Sequence, residues 1–281
     1  MPLNIIAESS STRTEWAIVD GRTIVEHAFT TGLNPFFQTR REISHSIRLE
    51  LPEVFFRRRW NHVYFYGAGC ATQEKCKIME SSLVAQFKTP VTVESDLLGA
   101  ARGLLVRESG LACILGTGSN SCLYNGHEIT KTVAPLGFIL GDEGSGAYLG
   151  KTLIADMLKG IAPTEITQAF YEKFMVTPNV LMDDVYTNVL PSRALSKYSV
   201  FLAEHLDNAY CYQLVYSAFM RFFSRNIAAY AYREQPLCFV GSVCVMYKDI
   251  LLRAARDFGV EVSKIIRYSM PGLVEYHADE P

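Results

Sequence analysis

Two runs, LGTGSNSC from Leu115 and GFILGDEGSGAYLG from Gly137, carry the residues best suited to chemistry. Gly116, Gly118, Gly137, Gly141, Gly144, Gly146 and Gly150 form the densest glycine set in the chain, with hydroxyls and one amide interleaved. Without Cβ atoms in the way, backbone N–H groups in such runs approach an anion closely. Asp142 and Glu143 add carboxylates to the second run. The chemistry this composition suits is phosphate handling in a cleft; the competing reading is two tight turns with acidic tips.

These turns need elements to hold them. The chain has 281 residues, 49% apolar and 20% charged, with a formal net charge of −2, as in a globular protein of one large or two moderate domains. Near-neutral charge gives no footprint for nucleic acid or an anionic membrane, and Arg57-Arg58-Arg59 reads as a solvated helix end or salt-bridge partner. The longest apolar runs, such as Leu237 to Met246, fall short of the ~20 residues of a membrane span, and MPLNIIAESSS lacks the basic start of a signal peptide. Seven cysteines without a CxxC pair argue for a reducing, cytoplasmic setting and against a disulfide framework or zinc site. The six histidines have no ligand spacing.

The periodicity predicts a duplication. LNIIA, the polar turn ESSSTRT and EWAIVDG read as strand, turn, strand, with a third strand over Thr23 to Phe29. LACIL, GTGSNS and CLYNG repeat this pattern, with a third strand over Glu128 to Ala134. His62 to Gly69 then precedes a helix carrying Ile78, Leu83 and Phe87, as Leu237 to Val243 precedes one carrying Ile250, Leu251 and Ala255. Residues 151–233 read as helical. The apolar stripe Leu214, Val215, Ala218, Phe219, Phe222, Phe223 and Ile227 reads as core. The junction is expected near 104–110, where the helix from Leu97 to Arg107 ends.

Paired hairpins with polar loops form a cleft when they face each other, and the motifs here resemble a known set. ESSSTRTEW, TGLNP (Thr31 to Pro35), VESDLLGAARG, LGTGSNS, LGDEGSG and FVGSV together resemble the N-acetylglucosamine kinases and BadF/BadG/BcrA/BcrD-type ATPases of the actin-like, sugar kinase and Hsp70 superfamily. The similarity runs over essentially the whole chain. It implies an α/β, two-domain actin-like ATPase fold, a duplicated ribonuclease H-like unit with a nucleotide cleft between the domains. Residues 1–105 would form the first domain and 106–281 the second, with a helical insertion at about 151–233.

The resemblance implies ATP and Mg²⁺ as cofactors and transfer of the γ-phosphoryl group to an amino sugar such as N-acetylglucosamine. Phosphoryl transfer depends on positioning and charge stabilisation. Ser10, Ser11 and Thr12 of the first loop and Thr117, Gly118, Ser119 and Asn120 of the second would hold the phosphates, with Gly241 and Ser242 against the adenosine. Glu8 would hold Mg²⁺ through water. Asp96 would be the base, although the residue types alone allow a helix N-cap there equally. Asn34, Asp96, Thr117, Asp142, Gly144 and Ser145 would contact the sugar, and Glu143 would either cap the following helix or touch ligand. Asn34 also suits a plain Asn-Pro turn, and Gly241 and Ser242 a plain strand-to-helix turn.

The first loop departs from the family pattern, with Glu8 in place of Asp and Ser9-Ser10-Ser11 where glycine is usual. That departure keeps a non-catalytic sugar or nucleotide sensor open, beside an ATPase coupled to a protein partner. Cys113 and Cys122 do not form the cysteine motif of the iron–sulfur activators in this family. The expected partners are ATP and an amino sugar, without nucleic acid or membrane, and with a homodimer left open.

Overall fold

The computed structural model describes residues 3–10 and 12–278. The chain falls into two units, one of Met1–Ala112, Tyr124–Thr130 and Tyr268–Pro281, the other of Cys113–Leu123 and Lys131–Arg267. In order, the first part has β1 (Asn4–Ser9), β2 (Arg13–Asp20), β3 (Thr23–Thr31), α1 (Arg40–Glu50), β4 (Val63–Gly67), α2 (Gln73–Phe87), β5 (Val91–Ser95) and α3 (Asp96–Leu105). Then come β6 (Ser109–Leu115), β7 (Ser119–Asn125), β8 (Ile129–Thr132) and α4 (Gly137–Leu140). The helical stretch is α5 (Gly146–Leu158), α6 (Thr164–Phe174), α7 (Pro178–Tyr186), α8 (Pro191–Ala203) and α9 (Ala209–Arg225). After β9 (Leu237–Val240), α10 (Ser242–Met246), α11 (Lys248–Phe258) and β10 (Val262–Ile266), the chain returns to the first unit with α12 (Met270–Ala278).

Strand β1 lies in the middle of its sheet because it is apolar on both faces, and its period of two divides the core. Ile5 and Ala7 join Trp16, Ile18, Val63 and Phe65 on the side holding Ile43 and Ile47 of α1 and Met79 and Leu83 of α2. Ile6 joins Ala17, Val19 and Tyr66 on the other side, against Met270, Leu273 and Val274 of α12. Helices α3 and α12 meet at backbone distance. A Cβ on Gly103 would stand 2.4 Å from the Cβ of Ser269, and one on Gly272 1.9 Å from the Gly103 carbonyl oxygen. The small residues of LLGAARG therefore serve close helix packing.

The two sheets have the orders β3-β2-β1-β4-β5 and β10-β9-β6-β7-β8. Read from β8, the second is third, second, first, fourth, fifth, the same order as the first sheet. The duplication expected from the strand and turn pattern is thus present in the topology. The stripe on α9 is core, with Leu214, Val215, Ala218, Phe219, Phe222 and Phe223 all buried.

Candidate active site

Strands β1, β4 and β5 are mutually parallel, with Ser9 opposite Gly67 and Gly67 opposite Ser95. Their carboxyl ends share one edge, where open α/β sheets place ligands. Asp96 stands there as the first residue of α3. The N-cap is its neighbour Ser95, whose Oγ accepts the Leu98 N–H at 3.2 Å. Asp96 Oδ1 accepts the Leu97 N–H at 2.9 Å. Capping is therefore done by Ser95, and Asp96 is half-buried. Burial raises its pKa, opposed by the hydrogen bonds from the backbone of Leu97 and its own residue.

Glu8, at the end of β1, faces the same region. Its Oε1 accepts the Ser269 hydroxyl at 2.8 Å. Burial pushes the carboxyl from 4.5 up to about 7, the Ser269 bonds oppose this, and the negative charges of Glu15 and Asp96 add to it. Glu15 lies directly across the β1–β2 hairpin from Glu8 and bonds His27 Nε2 at 2.8 Å. Between pH 4.5 and about 7 the folded protein thus holds a proton on Glu8 that the unfolded chain releases, so stability falls as pH rises through that window. Glu8→Gln is expected to melt at a higher temperature than the wild type above pH 7, and at the same temperature well below pH 4.5. Thermal melts across pH check this; a constant offset at every pH would overturn it.

Ser10 and Thr12 share the β1–β2 turn, and Ser11 lies outside the described residues. The Ser10 hydroxyl turns inward, accepting the N–H groups of Thr12 and Arg13 at 3.3 Å each. Two amides of this loop are thus taken by Ser10. Asn34 is tied to the same end of β1, because the Ser9 hydroxyl accepts the Leu33 N–H at 2.8 Å and donates to the Leu33 carbonyl at 3.0 Å. Asn34 Oδ1 accepts the Phe36 N–H at 2.9 Å, closing the turn and leaving Nδ2 as the group able to meet a ligand.

In the second unit the hub is the β6–β7 turn. The Gly116 and Thr117 carbonyls accept the N–H groups of Gly146 and Ala147 at 2.9 and 3.0 Å, and Gly116 N–H bonds the Gly118 carbonyl at 3.0 Å. The Thr117 and Gly118 N–H groups have no partner among the described residues. Asp142 Oδ1 accepts the Ser119 N–H at 3.2 Å. Burial raises the Asp142 pKa to about 6, countered by the Ser119 N–H, increased by Glu143 and countered by Lys151. Asn120 Oδ1 accepts the Ser121 N–H at 2.9 Å.

Other residues near this turn are occupied structurally. Ser145 is fully buried and caps α5, accepting the Tyr148 N–H at 3.1 Å. Glu143 does not cap; it is buried and pairs with Arg225 at 3.1 Å. Gly144 is buried against Phe219 and Phe222, and Gly146 and Gly150 bring α5 against Ser196 and Leu195 of α8. Gly241 presses on the end of β6: a Cβ there would be 2.3 Å from the Leu115 carbonyl oxygen. Ser242 is exposed at the start of α10.

Within the first unit, then, the fold brings together Glu8, Asp96, Asn34 and the first loop; within the second, Thr117, Gly118, Ser119, Asp142 and Gly241. Sequence reasoning missed Glu15, Ser269 and Lys151. Glu15 was detectable, since a hairpin turning at ESSSTRT places it opposite Glu8. Ser269 stands 261 positions from Glu8, and no local pattern announces that pairing.

The repeated sheet order and the two polar hairpin loops define an actin-like α/β fold of the sugar-kinase type. No protein-family model matches the sequence, and no curated protein matches it. Among solved structures, a candidate N-acetylglucosamine kinase from Porphyromonas gingivalis is 39% identical, with TM-score 0.94 over 98% of this chain and 99% of its own. The chain belongs to this N-acetylglucosamine kinase family. A candidate N-acetylglucosamine kinase from Chromobacterium violaceum shares the fold at 15% identity and TM-score 0.77, over 98% of this chain and 99% of its own. So does a ROK family glucokinase from Streptomyces griseus, in complex with glucose and AMPPNP, at 14% and 0.59 over 98% of this chain and 97% of its own.

Proposed function

We propose that this protein transfers the γ-phosphoryl group of ATP to a hydroxyl of an amino sugar such as N-acetylglucosamine, in the cytoplasm. The observation that carries this reading is the carboxylate edge, where Asp96 is relieved of capping by Ser95 and stands near Glu8. Full-length similarity to the Porphyromonas gingivalis protein supports the amino sugar as acceptor. In the reaction, Asp96 accepts the hydroxyl proton as the oxygen attacks phosphorus. The free Thr117 and Gly118 amides hold phosphate oxygens, and Asp142 and the Asn34 amide accept from and donate to sugar hydroxyls.

Mg²⁺ fits the donor set around Glu8. A carboxylate is a hard oxygen ligand, its orientation is set by Ser269, and Glu15 and Asp96 add negative potential. Among the described residues no group of three His, Cys, Asp or Glu could hold a metal ion. That suits an ion carried mainly by phosphate oxygens and water, with Glu8 as its protein contact. When bound, it would shield the charge of the phosphates.

The test is ADP release by purified protein with ATP and Mg²⁺ across hexosamines and hexoses. Sugar-dependent release, strongest with N-acetylated amino sugars, is expected; a folded sample with no sugar-stimulated release would overturn the proposal. Sugar-independent hydrolysis would instead favour an ATPase coupled to a protein partner. One observation favours the sensor reading, namely the Ser10 hydroxyl occupying two first-loop amides. Stabilisation by sugar without transfer would establish it.

A further inference from the structure

We propose that Lys151 is a positioning residue for Asp142, pinning the turn that leads into Asp142 and supplying the positive charge beside two adjacent carboxylates. This rests on the reading of Asp142 as an acceptor of sugar hydroxyls. The turn spans Pro135 to Asp142 and closes on itself through Gly141 N–H to Gly137 O at 2.8 Å and Asp142 N–H to Pro135 O at 3.3 Å. Near its ends stand two non-glycine residues in left-handed backbone, Leu136 at φ 59° and Asp142 at φ 57°. Such residues persist only where their surroundings hold them. Apolar burial does little of that holding, since Leu136, Ile139 and Leu140 are 60%, 71% and 70% exposed. Lys151 on α5 does: its Nζ donates to the Phe138 carbonyl at 2.6 Å, fastening the middle of the turn to a helix packed through Gly150 onto α8.

Asp142 and Glu143 are both buried, and Glu143 is answered by Arg225 at 3.1 Å. Against burial and the charge of Glu143, which raise the Asp142 pKa, stand the neutral Ser119 N–H and, as a smaller influence, the cation of Lys151, both favouring the ionised carboxylate. Lys151 titrates lower than usual because it is partly buried, with Asp142 and Glu143 opposing that shift. An ionised Asp142 accepts from sugar hydroxyls with both oxygens, whereas a protonated one loses an acceptor.

The test compares Lys151→Met and Lys151→Arg with the wild type in two readouts. The first is the titration midpoint of Asp142 by carbon NMR of labelled aspartate, assigned with Asp142→Asn. Lys151→Met is expected to move this midpoint upward from about 6, by roughly one unit, a tenfold change in protonation equilibrium. Lys151→Arg is expected to leave it near the wild-type value. The second is the pH dependence of KM for the sugar, which in Lys151→Met should rise about tenfold on the acid side, while KM for ATP stays unchanged. An Asp142 midpoint that is the same in Lys151→Met and wild type overturns the inference, as does a loss of activity equal at all pH values and equal in Lys151→Arg. A wild type inactive on every sugar would defeat the kinase reading, while the NMR midpoint would still decide the role of Lys151. If Lys151→Met does not fold, Lys151→Gln retains a donor for Phe138 and removes the charge, and carries the same titration test.

Discussion

Asp96→Asn is expected to lower kcat for sugar phosphorylation by roughly 10²–10⁴-fold, the usual contribution of a positioned base, while ATP binding is retained. Asparagine keeps the size of the side chain and an oxygen for the Leu97 N–H, so the start of α3 is preserved. It lacks the lone pair basicity that takes the hydroxyl proton. Burial raises the Asp96 pKa and so moves the carboxylate closer to the pH at which a base works best. Ser95→Ala removes the cap received by Leu98 and should cost about 1 kcal/mol of stability. The measurement is initial rate with saturating sugar, beside calorimetric ATP titration. Near-wild-type kcat in Asp96→Asn would remove Asp96 from the role of base.

Gly241→Ala is expected to lower stability strongly and to disable the second loop with it. Gly241 has φ 131° and ψ 171°, a backbone region that only glycine occupies comfortably. Its added Cβ would also fall 2.3 Å from the carbonyl oxygen and 2.8 Å from the carbonyl carbon of Leu115. Both obstructing atoms belong to the backbone that leads directly into Gly116, so relief requires moving the loop itself. Backbone strain and overpacking together should cost about 3 kcal/mol or more, a fall in Tm of roughly 6–12 °C. Gly259→Ala is the comparison without a clash: Gly259 has φ 85° and ψ 35° in the ordinary left-handed region and nothing within 4 Å of an added Cβ, so only a milder strain acts there. Differential scanning calorimetry reads both variants. A Gly241→Ala protein as stable as Gly259→Ala would show that the contact with Leu115 does not constrain the loop.

Much of the architecture was legible because it repeats simple periods. The apolar runs LNIIA and EWAIVDG match β1 and β2, which need two buried faces, and the copy in LACIL and CLYNG matches β6 and β7. The aromatic stripe on α9 followed from helical spacing alone. The return of α12 to the first unit was not legible, because MPGLVEYHA is short and its apolar residues gain meaning only against Ile6, Ala17 and Val19. The glycine cluster from Gly137 to Gly150 was legible as a feature, but its members do different things. Gly144 lies in a left-handed turn, while Gly146 and Gly150 pack one helix on another. Composition cannot separate a glycine that admits an anion from one that admits a neighbouring helix, since both lack the same atom.

The duplicated strand–turn–strand pattern, the two hydroxyl-rich loops and the carboxylates at Glu8, Asp96 and Asp142 were all present in the sequence, because each depends on residues close together in the chain. How those carboxylates are held emerged only on folding. Ser95 took the cap and released Asp96, Ser269 reached Glu8 across 261 positions, and Ser119 met Asp142. Protonation and hydrogen bonding depend on distance and burial, and residues far apart in the chain acquire both only when the sheet and helices bring them together.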